Sequence, residues 1–343
     1  MGKIVTYGEL MLRLSPPGYK RFLQSDTFNV TFGGGEANVA VSLSVFGHDA
    51  YFVSCFPSHE IGEAAVQSLQ RYGVQTDYIL REGDRIGVYF LETGASQRPS
   101  KVIYDRAGSA VSELDPGKLN WDRIFDGKDW FHWTGITPAL GEKPAAALLK
   151  ACKKAKDHGV KVSCDLNFRS KLWTEEEARK VMRPLMEYVD VCIANEEDAE
   201  RSLGVVPEKS DVEKGELHEE DYKNLALNLK KKFGFDSVAI TLRESFSASR
   251  NGWSAILHDE VSCIEPMRST RYDIDIVDRV GGGDSFAGGL IHGLLTYNDT
   301  QRALEFAAAA SCLKQTLPGD FNLVSQSEVQ KLMESGGSGR VER

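Results

Sequence analysis

The chain has 343 residues, 41% of them hydrophobic and 27% charged, and a formal net charge of −9. This composition is ordinary for a folded globular protein and excludes a disordered chain, while the acidic balance argues against a nucleic-acid surface, which needs a clustered basic face. The sequence has neither a secretory signal nor an apolar run long enough to cross a membrane, so we expect a cytoplasmic protein with no membrane partner. Its six cysteines form no Cys-x-x-Cys pair, and we expect them to be reduced thiols.

Two stretches in the first third of the chain predict a small β-sheet outside the main fold. The β-branched run at 4–10 suits a buried first strand, but residues 12–32 contain prolines and then a short alternating piece. Residues 87–91 and 101–105 alternate as two hairpin strands around a polar turn. We therefore interpret both stretches as excursions from the main layer.

Strands and helices alternate regularly after the first third of the chain. We predict strands at 130–134, 160–165, 189–194 and 237–242, with helices at 142–158, 174–188, from 196 onward and at 221–233. Such alternation implies right-handed crossovers and a mostly parallel sheet with helices on both faces, which is an α/β fold. An antiparallel pair at 253–257 and 261–264 is expected at one edge of this sheet.

A first glycine turn, Gly33-Gly34-Gly35, precedes a helix of small residues. It resembles a dinucleotide-binding fingerprint but lacks its third small residue, because Asn38 stands at that position. A nicotinamide-dependent oxidoreductase is therefore disfavoured, and something other than a pyrophosphate is expected to approach this backbone. The alternative is a tight strand-to-helix turn with Asn38 facing solvent.

Polar side chains follow two of the predicted parallel strands. Asp165, Asn167 and Arg169 come directly after one strand, and Asn195 follows the next. Because ligands of parallel sheets bind beyond the carboxyl ends of the strands, both groups are expected at one binding edge.

The predicted hairpin also offers binding groups. Side chains two residues apart in a strand point to the same face, so Tyr104 and Arg106 share one face, and Tyr89 lies on the partner strand. A phenol beside a guanidinium suits a small polar anion, since arginine can hold a carboxylate by two parallel hydrogen bonds. The alternative is a solvated sheet face.

A second glycine turn stands near the C-terminus, where Gly281, Gly282 and Gly283 lead into Asp284 and a helix. Backbone N–H groups at a helix N-terminus form a cradle for phosphate oxygens. A carboxylate at the edge of such a cradle repels phosphate, but it is needed if the site must also take a proton from an attacking hydroxyl. The alternative is that Asp284 only caps the helix.

Together these features suggest phosphate transfer to a small polar acceptor, and two of them resemble the signatures of a known family. The sequence D-R-V-G-G-G-D-S-F-A-G-G at 278–289 resembles the C-terminal signature of the ribokinase-like (PfkB) carbohydrate kinases, and F-G-G-G-E-A-N-V-A at 32–40 resembles their N-terminal one. The resemblance runs from residue 3 to about residue 331. Within the family, Tyr104-x-Arg106 and D-L-N-F-R at 165–169 are most similar to kinases of 2-keto-3-deoxygluconate.

The resemblance implies one kinase domain over residues 1–334. The glycine-, serine- and charge-rich sequence at 335–343 predicts a disordered tail. The fold of the domain would be a ribokinase-like three-layer sandwich with a small β lid, formed here by 12–32 and 86–106. A homo-oligomer through that lid is expected. The implied cofactors are ATP and Mg²⁺, with an optional monovalent cation.

The resemblance also implies roles for single residues. Asp284 would be the general base for the primary hydroxyl of the sugar acid, and the amides of Gly281 to Gly283 would form an anion hole. The residues expected to contact the sugar acid are Gly34, Asn38, Tyr89, Tyr104, Arg106, Arg169 and Asp320. The residues expected near the nucleotide are Asn167, Arg169, Asn195, Thr241, Gly281 and Gly283.

Three departures from the family pattern matter. The usual Gly-Ala-Gly-Asp is Gly-Gly-Gly-Asp, which should leave the anion hole intact. The family's Asn-x-x-Glu, linked to magnesium through water, ends in Asp198 here, so the metal ligands stay open. Arg243 and Glu244 follow Leu242 where many members have glycine, which leaves the adenine pocket and the nucleotide preference open.

Two other functions remain as alternatives. The first is a kinase of the same family that acts on fructose or a related ketose, although Arg106 and Arg169 favour a charged acceptor. The second is a non-catalytic sugar-binding protein of the same fold, which the intact Asp284 argues against. The gluconate- and galactonate-derived keto acids differ only at C4, and the sequence does not choose between them.

Overall fold

A computed structural model describes residues 1–206, 219–259 and 265–335. Within these residues the chain forms a ten-stranded sheet and a separate four-stranded sheet. The strands of the large sheet are β1 (Lys3–Tyr7), β4 (Asp49–Phe56), β5 (Ile79–Arg81), β8 (Trp130–Thr134), β9 (Lys161–Asp165), β10 (Val191–Ala194), β11 (Ser237–Ser247), β12 (Arg250–Asp259), β13 (Met267–Arg268) and β14 (Tyr272–Asp275). The strands of the small sheet are β2 (Met11–Ser15), β3 (Asn29–Gly33), β6 (Val88–Glu92) and β7 (Lys101–Asp105).

The helices connect these strands and lie on both faces of the large sheet. They are α1 (Gly35–Val45), α2 (Glu60–Gln70), α3 (Trp121–Phe125), α4 (Ile136–Ala139), α5 (Glu142–Asp157), α6 (Glu175–Leu185), α7 (Glu196–Asp198), α8 (Glu219–Phe233), α9 (Gly282–Thr296), α10 (Thr300–Lys314) and α11 (Gln326–Ser335). In the part of the chain described, none of them is long and apolar enough to span a membrane.

The large sheet has the order β13-β12-β11-β10-β9-β8-β1-β4-β5, and β14 also pairs with β12. All pairings from β11 to β5 are parallel, and those made by β12 are antiparallel. The predicted α/β fold with a mostly parallel sheet is thus confirmed. The parallel strands all end at one edge, which is where polar residues were expected to meet.

Two hydrophobic cores cover the two faces of this sheet. Neighbouring residues of β1 point to opposite sides, so Ile4 belongs to the core under α1, α9 and α10, whereas Val5 belongs to the core under α5, α6 and α8. Both residues are fully buried, as expected for a strand between two helical layers. The three-layer arrangement follows from these apolar runs.

The small sheet has the order β3-β2-β6-β7, with a parallel pair in its centre. Met11, Tyr89 and Leu91 form a small core on one side, while Val30 and Ile103 are exposed. The predicted small separate sheet is therefore present. Its action as a lid and its use in a homo-oligomer remain predictions.

Several local predictions need correction. The helix expected at 174–188 ends at Leu185 and continues as a 3₁₀ turn, and the helix expected from Glu196 is one short turn followed by a π-helical turn at Ala199–Leu203. Ser335, assigned to the disordered tail, is the last residue of α11. The remainder of that predicted tail and the strand expected at 261–264 lie outside the described residues.

Helices α9 and α10 pack closely because α9 carries glycines on the contact face. A Cβ at Gly293 would lie 2.6 Å from the Ala303 Cα, and one at Gly289 would lie 2.9 Å from the Ala307 Cα. Neither neighbour can move without moving the backbone of α10. Since α9 begins at the second glycine turn, this packing fixes the position of that turn.

We predict that Gly293→Ala lowers the free energy of unfolding by about 1–3 kcal/mol, the usual cost of overpacking a filled core. Alanine has the higher helix propensity, so propensity alone predicts the opposite sign. Gly283→Ala in the same helix is the matched control, because a Cβ there meets nothing within 4 Å. Thermal unfolding of both variants makes the comparison, and a Gly293→Ala variant as stable as Gly283→Ala would contradict the packing argument.

Candidate active site

A cleft of about 660 Å³ lies at the carboxyl ends of the parallel strands and extends under the small sheet. The residues predicted from sequence that line it are Gly34, Asn38, Tyr89, Tyr104, Arg106, Asn167, Arg169, Asn195, Thr241, Gly281, Gly282, Gly283, Asp284 and Asp320. The structure thus brings every predicted site residue to one cavity. Their individual roles remain predictions.

The C-terminal glycine turn has a backbone that only glycine adopts readily. Gly281 has φ of +81° and ψ of 0°, and a Cβ there would overlap the carbonyl oxygen of Asp320. Gly281 is the N-cap of α9, so the first amides of the helix face the cleft. The Gly282 amide makes a long bond of 3.3 Å to the Arg279 carbonyl. The turn is therefore suited to receive an anion at the helix N-terminus.

Asp284 does not cap this helix, which removes the alternative considered from sequence. It lies within α9, and its Oδ2 accepts a hydrogen bond of 2.6 Å from the Asn38 Nδ2. Burial raises the pKa of the Asp284 carboxyl to about 6, while Asn38 and the Arg169 guanidinium oppose the rise. A carboxylate with a pKa near neutrality can accept a proton at physiological pH.

The N-terminal glycine turn packs against the same place. A Cβ at Gly34 would overlap the Glu9 carbonyl oxygen, and one at Gly33 would overlap the Asp320 carboxylate. The Gly34 amide donates to the Asn38 Oδ1 at 3.2 Å. Asn38 is 3% exposed, so the alternative that it faces solvent is wrong. The asparagine links the two glycine turns.

Asp320 is held by a buried charge network that the sequence reasoning missed. Arg13 donates to Asp320 at 2.7 Å and to Asp278 at 2.6 Å, and the Tyr89 hydroxyl donates a short hydrogen bond to Asp320. Arg13 is a charged residue on the same alternating face of β2 as Met11, and both are buried. An arginine at an inward position of a strand needs a buried partner of opposite charge, so this alternation could have predicted the ion pair from sequence.

Arg106 has a partner that changes its electrostatic role. Its Nε donates to the Glu9 Oε2 at 2.8 Å, its Nη2 makes a shorter bond to the same oxygen, and both side chains are almost fully buried. The Tyr104 ring lies 5.4 Å from the guanidinium. The positive charge of Arg106 is therefore partly compensated before any ligand binds.

Buried polar groups follow β9. Asn167 has φ of +38°, an uncommon conformation for a non-glycine residue, and its Oδ1 has no hydrogen-bond partner in the described part of the chain. Burial raises the pKa of the Asp165 carboxyl well above its usual value and raises the pKa of the Asp198 carboxyl to about 6. The negative charge of Asp198 raises the pKa of Asp165 further, whereas the Arg169 guanidinium lowers the pKa of both carboxyls. The positive charge of Arg169 therefore stabilises the ionised forms of Asp165 and Asp198.

The donor set fits a magnesium ion that is bound mainly through nucleotide phosphates. Among the described residues no cluster of three or more His, Cys, Asp and Glu side chains could hold a metal. Asp198 already accepts hydrogen bonds from the Phe168 amide and the Asn195 side chain. Asp165 accepts one long hydrogen bond of 3.4 Å from the Asn167 side chain, so it is the better candidate of the two. Mg²⁺ in phosphate-transfer sites commonly takes only one or two protein carboxylates.

Three arginines that were not predicted as ligands also line the cleft. Arg201, Arg243 and Arg279 line it together with Thr241. The Glu244 carboxylate does not face a ligand, because it accepts two hydrogen bonds of 2.8 Å from the Arg271 guanidinium. Glu244, which stands where many family members have glycine, is thus accommodated by an ion pair with Arg271, the residue that precedes β14.

The pfkB family carbohydrate kinase model matches residues 1–325. The chain belongs to this family. A 2-dehydro-3-deoxygalactonokinase of Haloferax volcanii is 33% identical over 338 residues, with 98% of each chain covered. The structure of a 2-dehydro-3-deoxygluconokinase of Thermotoga maritima is 55% identical, with a TM-score of 0.92 and coverage of 97% of this chain and 98% of that one.

A PfkB family carbohydrate kinase of Listeria grayi is 32% identical, with a TM-score of 0.89, and covers 97% of this chain and 100% of its own. These likenesses confirm the ribokinase-like fold and make the chain a carbohydrate kinase. The alternative of a non-catalytic sugar-binding protein is therefore not retained.

We predict that Gly281→Ala lowers the rate of phosphate transfer by about 10²-fold, because a Cβ at this left-handed position must displace the turn or the Asp320 backbone. Gly282→Ala keeps the same amide at a position where the family pattern has alanine, and the nearest atom to its Cβ would belong to the flexible Gln315 side chain, at 3.2 Å, so its loss should be much smaller. Steady-state kinetics of both variants provide the measurement. Equal losses would show that the conformation of Gly281 is not what the kinase requires.

Proposed function

We propose that the enzyme transfers the γ-phosphoryl group of ATP to the primary hydroxyl of 2-keto-3-deoxygluconate, also called 2-dehydro-3-deoxygluconate, and yields the 6-phosphate. The observation that carries the proposal is Asp284, whose carboxyl has a pKa raised to about 6 and adjoins the Gly281 turn inside the cleft. The names of the relatives from Thermotoga maritima and Haloferax volcanii support a keto acid acceptor.

In this reaction the hydroxyl oxygen of the acceptor attacks the γ-phosphorus, and its proton passes to the Asp284 carboxylate. The bond between the γ-phosphorus and the bridging oxygen breaks, and ADP leaves with its electron pair. Asn38 holds the carboxylate in place through the 2.6 Å hydrogen bond. The amides at the start of α9 stabilise the charge on the transferred oxygens, as preorganised donors do in a site that excludes water.

The carboxylate of the acceptor requires cations, and two arginines meet this requirement. Arg169 lines the cleft and has no carboxylate partner within ion-pair distance in the part of the chain described. Arg106 is paired with Glu9, so it supplies hydrogen bonds more than net charge. We therefore assign the main electrostatic contribution to Arg169 and an orienting contribution to Arg106.

The nucleotide would occupy the other end of the cleft. Asn167 and Asn195 follow β9 and β10, Thr241 lies within the neighbouring strand β11, and Arg243 is an exposed cation on the same strand. Mg²⁺ bound to the phosphates would supply positive charge to the β- and γ-oxygens, with Asp165 as the carboxylate nearest to that role. The protein contributes positioning and charge, which is most of what phosphoryl transfer requires.

The decisive experiment measures ADP release from ATP and Mg²⁺ with four acceptors in parallel: 2-keto-3-deoxygluconate, 2-keto-3-deoxygalactonate, fructose and ribose. We expect turnover with the keto acids alone. Asp284→Asn should lower it by about 10²–10⁴-fold, the usual contribution of a general base. The ratio of kcat/KM for the two keto acids determines the preference at C4.

The control for this experiment is Arg169→Gln, which keeps a polar side chain but removes the charge. It should weaken binding of the keto acids more than that of a neutral ketose. Faster turnover with fructose than with either keto acid would retain the kinase chemistry and reject the proposed substrate. Unchanged turnover in Asp284→Asn would reject the proposed base.

The pH dependence of kcat/KM gives a separate prediction. The base acts in its ionised form, and the pKa of Asp284 is raised to about 6, so activity should be full above that pH and fall as the pH drops through it. Asn38 stabilises the ionised form by donating to it. Asn38→Leu should therefore move the acid limb to higher pH.

Tyr104→Phe is the control for this shift, because Tyr104 lines the cleft but has no hydrogen bond to Asp284. Its acid limb should coincide with that of the wild type, whatever its effect on KM. An acid limb that stays in place in Asn38→Leu would mean that a group other than Asp284 controls it.

A further inference from the structure

Lys314, the last residue of α10, has a fully buried side chain. Its Nζ donates hydrogen bonds to three backbone carbonyl oxygens: that of Asp278 at 3.2 Å, that of Gly319 at 2.6 Å, and that of Val280 at a shorter distance. Within the described residues no carboxylate forms an ion pair with it. A buried lysine bound only by backbone carbonyls is unusual, because buried charges are normally paired with an opposite charge.

The number of acceptors bears on the protonation state of this group. Three carbonyl oxygens accept from one nitrogen, and carbonyls cannot donate. Three N–H donors exist only in the ammonium form, since a neutral amine has two. Burial lowers the pKa of the Lys314 side chain, whereas the nearby carboxylates of Asp278 and Asp320 favour its charged form. The three carbonyl acceptors match the three donors of the ammonium, and we take this form as the one that lies in the interior.

The charge lies directly behind the anion-hole turn. Asp278 and Val280 belong to the segment that enters the turn, and Gly319 immediately precedes Asp320. The Lys314 Cε lies 3.3 Å from the point where a Cβ of Gly281 would stand. The ammonium thus joins the two backbone segments that form the floor of the phosphate site.

Converging carbonyl dipoles repel one another unless a cation lies between them. Backbone carbonyl oxygens at such a point are the ligands that hard metal ions take in proteins. Here the tethered ammonium fills that position, so a free monovalent cation does not fit between the oxygens of Asp278, Val280 and Gly319. The optional cation expected from sequence has no place at this point.

We infer that Lys314 acts as an internal cation: its ammonium replaces a monovalent metal ion behind the glycine turn and positions the turn for phosphate, so that turnover needs no K⁺ or Na⁺. This inference rests on the proposed phosphoryl transfer at the same turn. Lys314 does not touch the reacting atoms and is a positioning residue. Its effect should appear in kcat, because the turn contacts the transferred group and not the sugar acid.

The first test uses the unmodified enzyme and needs no variant. ADP release is measured in buffers whose cation besides Mg²⁺ is tetramethylammonium, which is too large for the site, and again after addition of KCl, NaCl or NH₄Cl. We expect the same kcat in all four conditions. Loss of turnover in the tetramethylammonium buffer with recovery on adding K⁺ would overturn the inference.

The second test compares two substitutions that differ in the space they leave. Lys314→Ala vacates the position between the carbonyls, and its kcat should fall by about 10²-fold, as when one preorganised donor is lost, with little change in KM for the sugar acid. K⁺ or NH₄⁺ should restore much of this kcat in a saturable way. Lys314→Met removes the charge but fills the space, so its kcat should fall without recovery.

A readout independent of the acceptor separates this inference from the proposed function. The thermal midpoint of Lys314→Ala should rise with KCl or NH₄Cl relative to tetramethylammonium chloride, whereas wild type and Lys314→Met should show no such difference. If no acceptor is phosphorylated but this pattern holds, only the proposed function fails. If Lys314→Ala is stabilised by neither cation, or keeps full turnover without them, the inference fails.

Discussion

The hydrogen bond between Asn38 and Asp284, which are 246 residues apart in the chain, joins the two glycine turns. It exists only because α1 and α9 pack side by side, where a Cβ at Gly288 would lie 2.7 Å from the Ser42 Cβ. The proposed base, the anion-hole amides and the carboxylate of Asp320 all depend on this contact. A small displacement of either helix would therefore separate groups that must act together.

The electrostatics of the cleft follow from how its charges are paired. The chain has a net charge of −9, yet its substrates in the proposed reaction are anions. Arg13 is neutralised between Asp278 and Asp320, and Glu9 holds Arg106. Lys314 instead receives only carbonyl oxygens, so its charge remains available to the turn above it. Positive charge is thereby placed directly behind the anion hole.

Sequence reasoning succeeded where the pattern is local. Glycine turns followed by helical spacing, and apolar strands alternating with helices, predicted the fold and brought the Gly281 turn and Asp284 to attention. It failed where a residue acquires its role from a distant partner: Arg13 needed Asp320, Arg106 needed Glu9, and Lys314 needed backbone carbonyls of the segment that enters the second glycine turn. Such partners meet through tertiary folding, and no spacing within one segment records them.

The most direct test of the account is a crystal structure with 2-keto-3-deoxygluconate and a non-hydrolysable ATP analogue. The account predicts the primary hydroxyl oxygen within about 2.6–3.2 Å of an Asp284 carboxylate oxygen. It also predicts the γ-phosphate analogue at the amides that follow Gly281, and the acceptor carboxylate at Arg169. A complex in which the primary hydroxyl points away from Asp284, or the phosphate lies elsewhere than the glycine turn, would contradict the central claim.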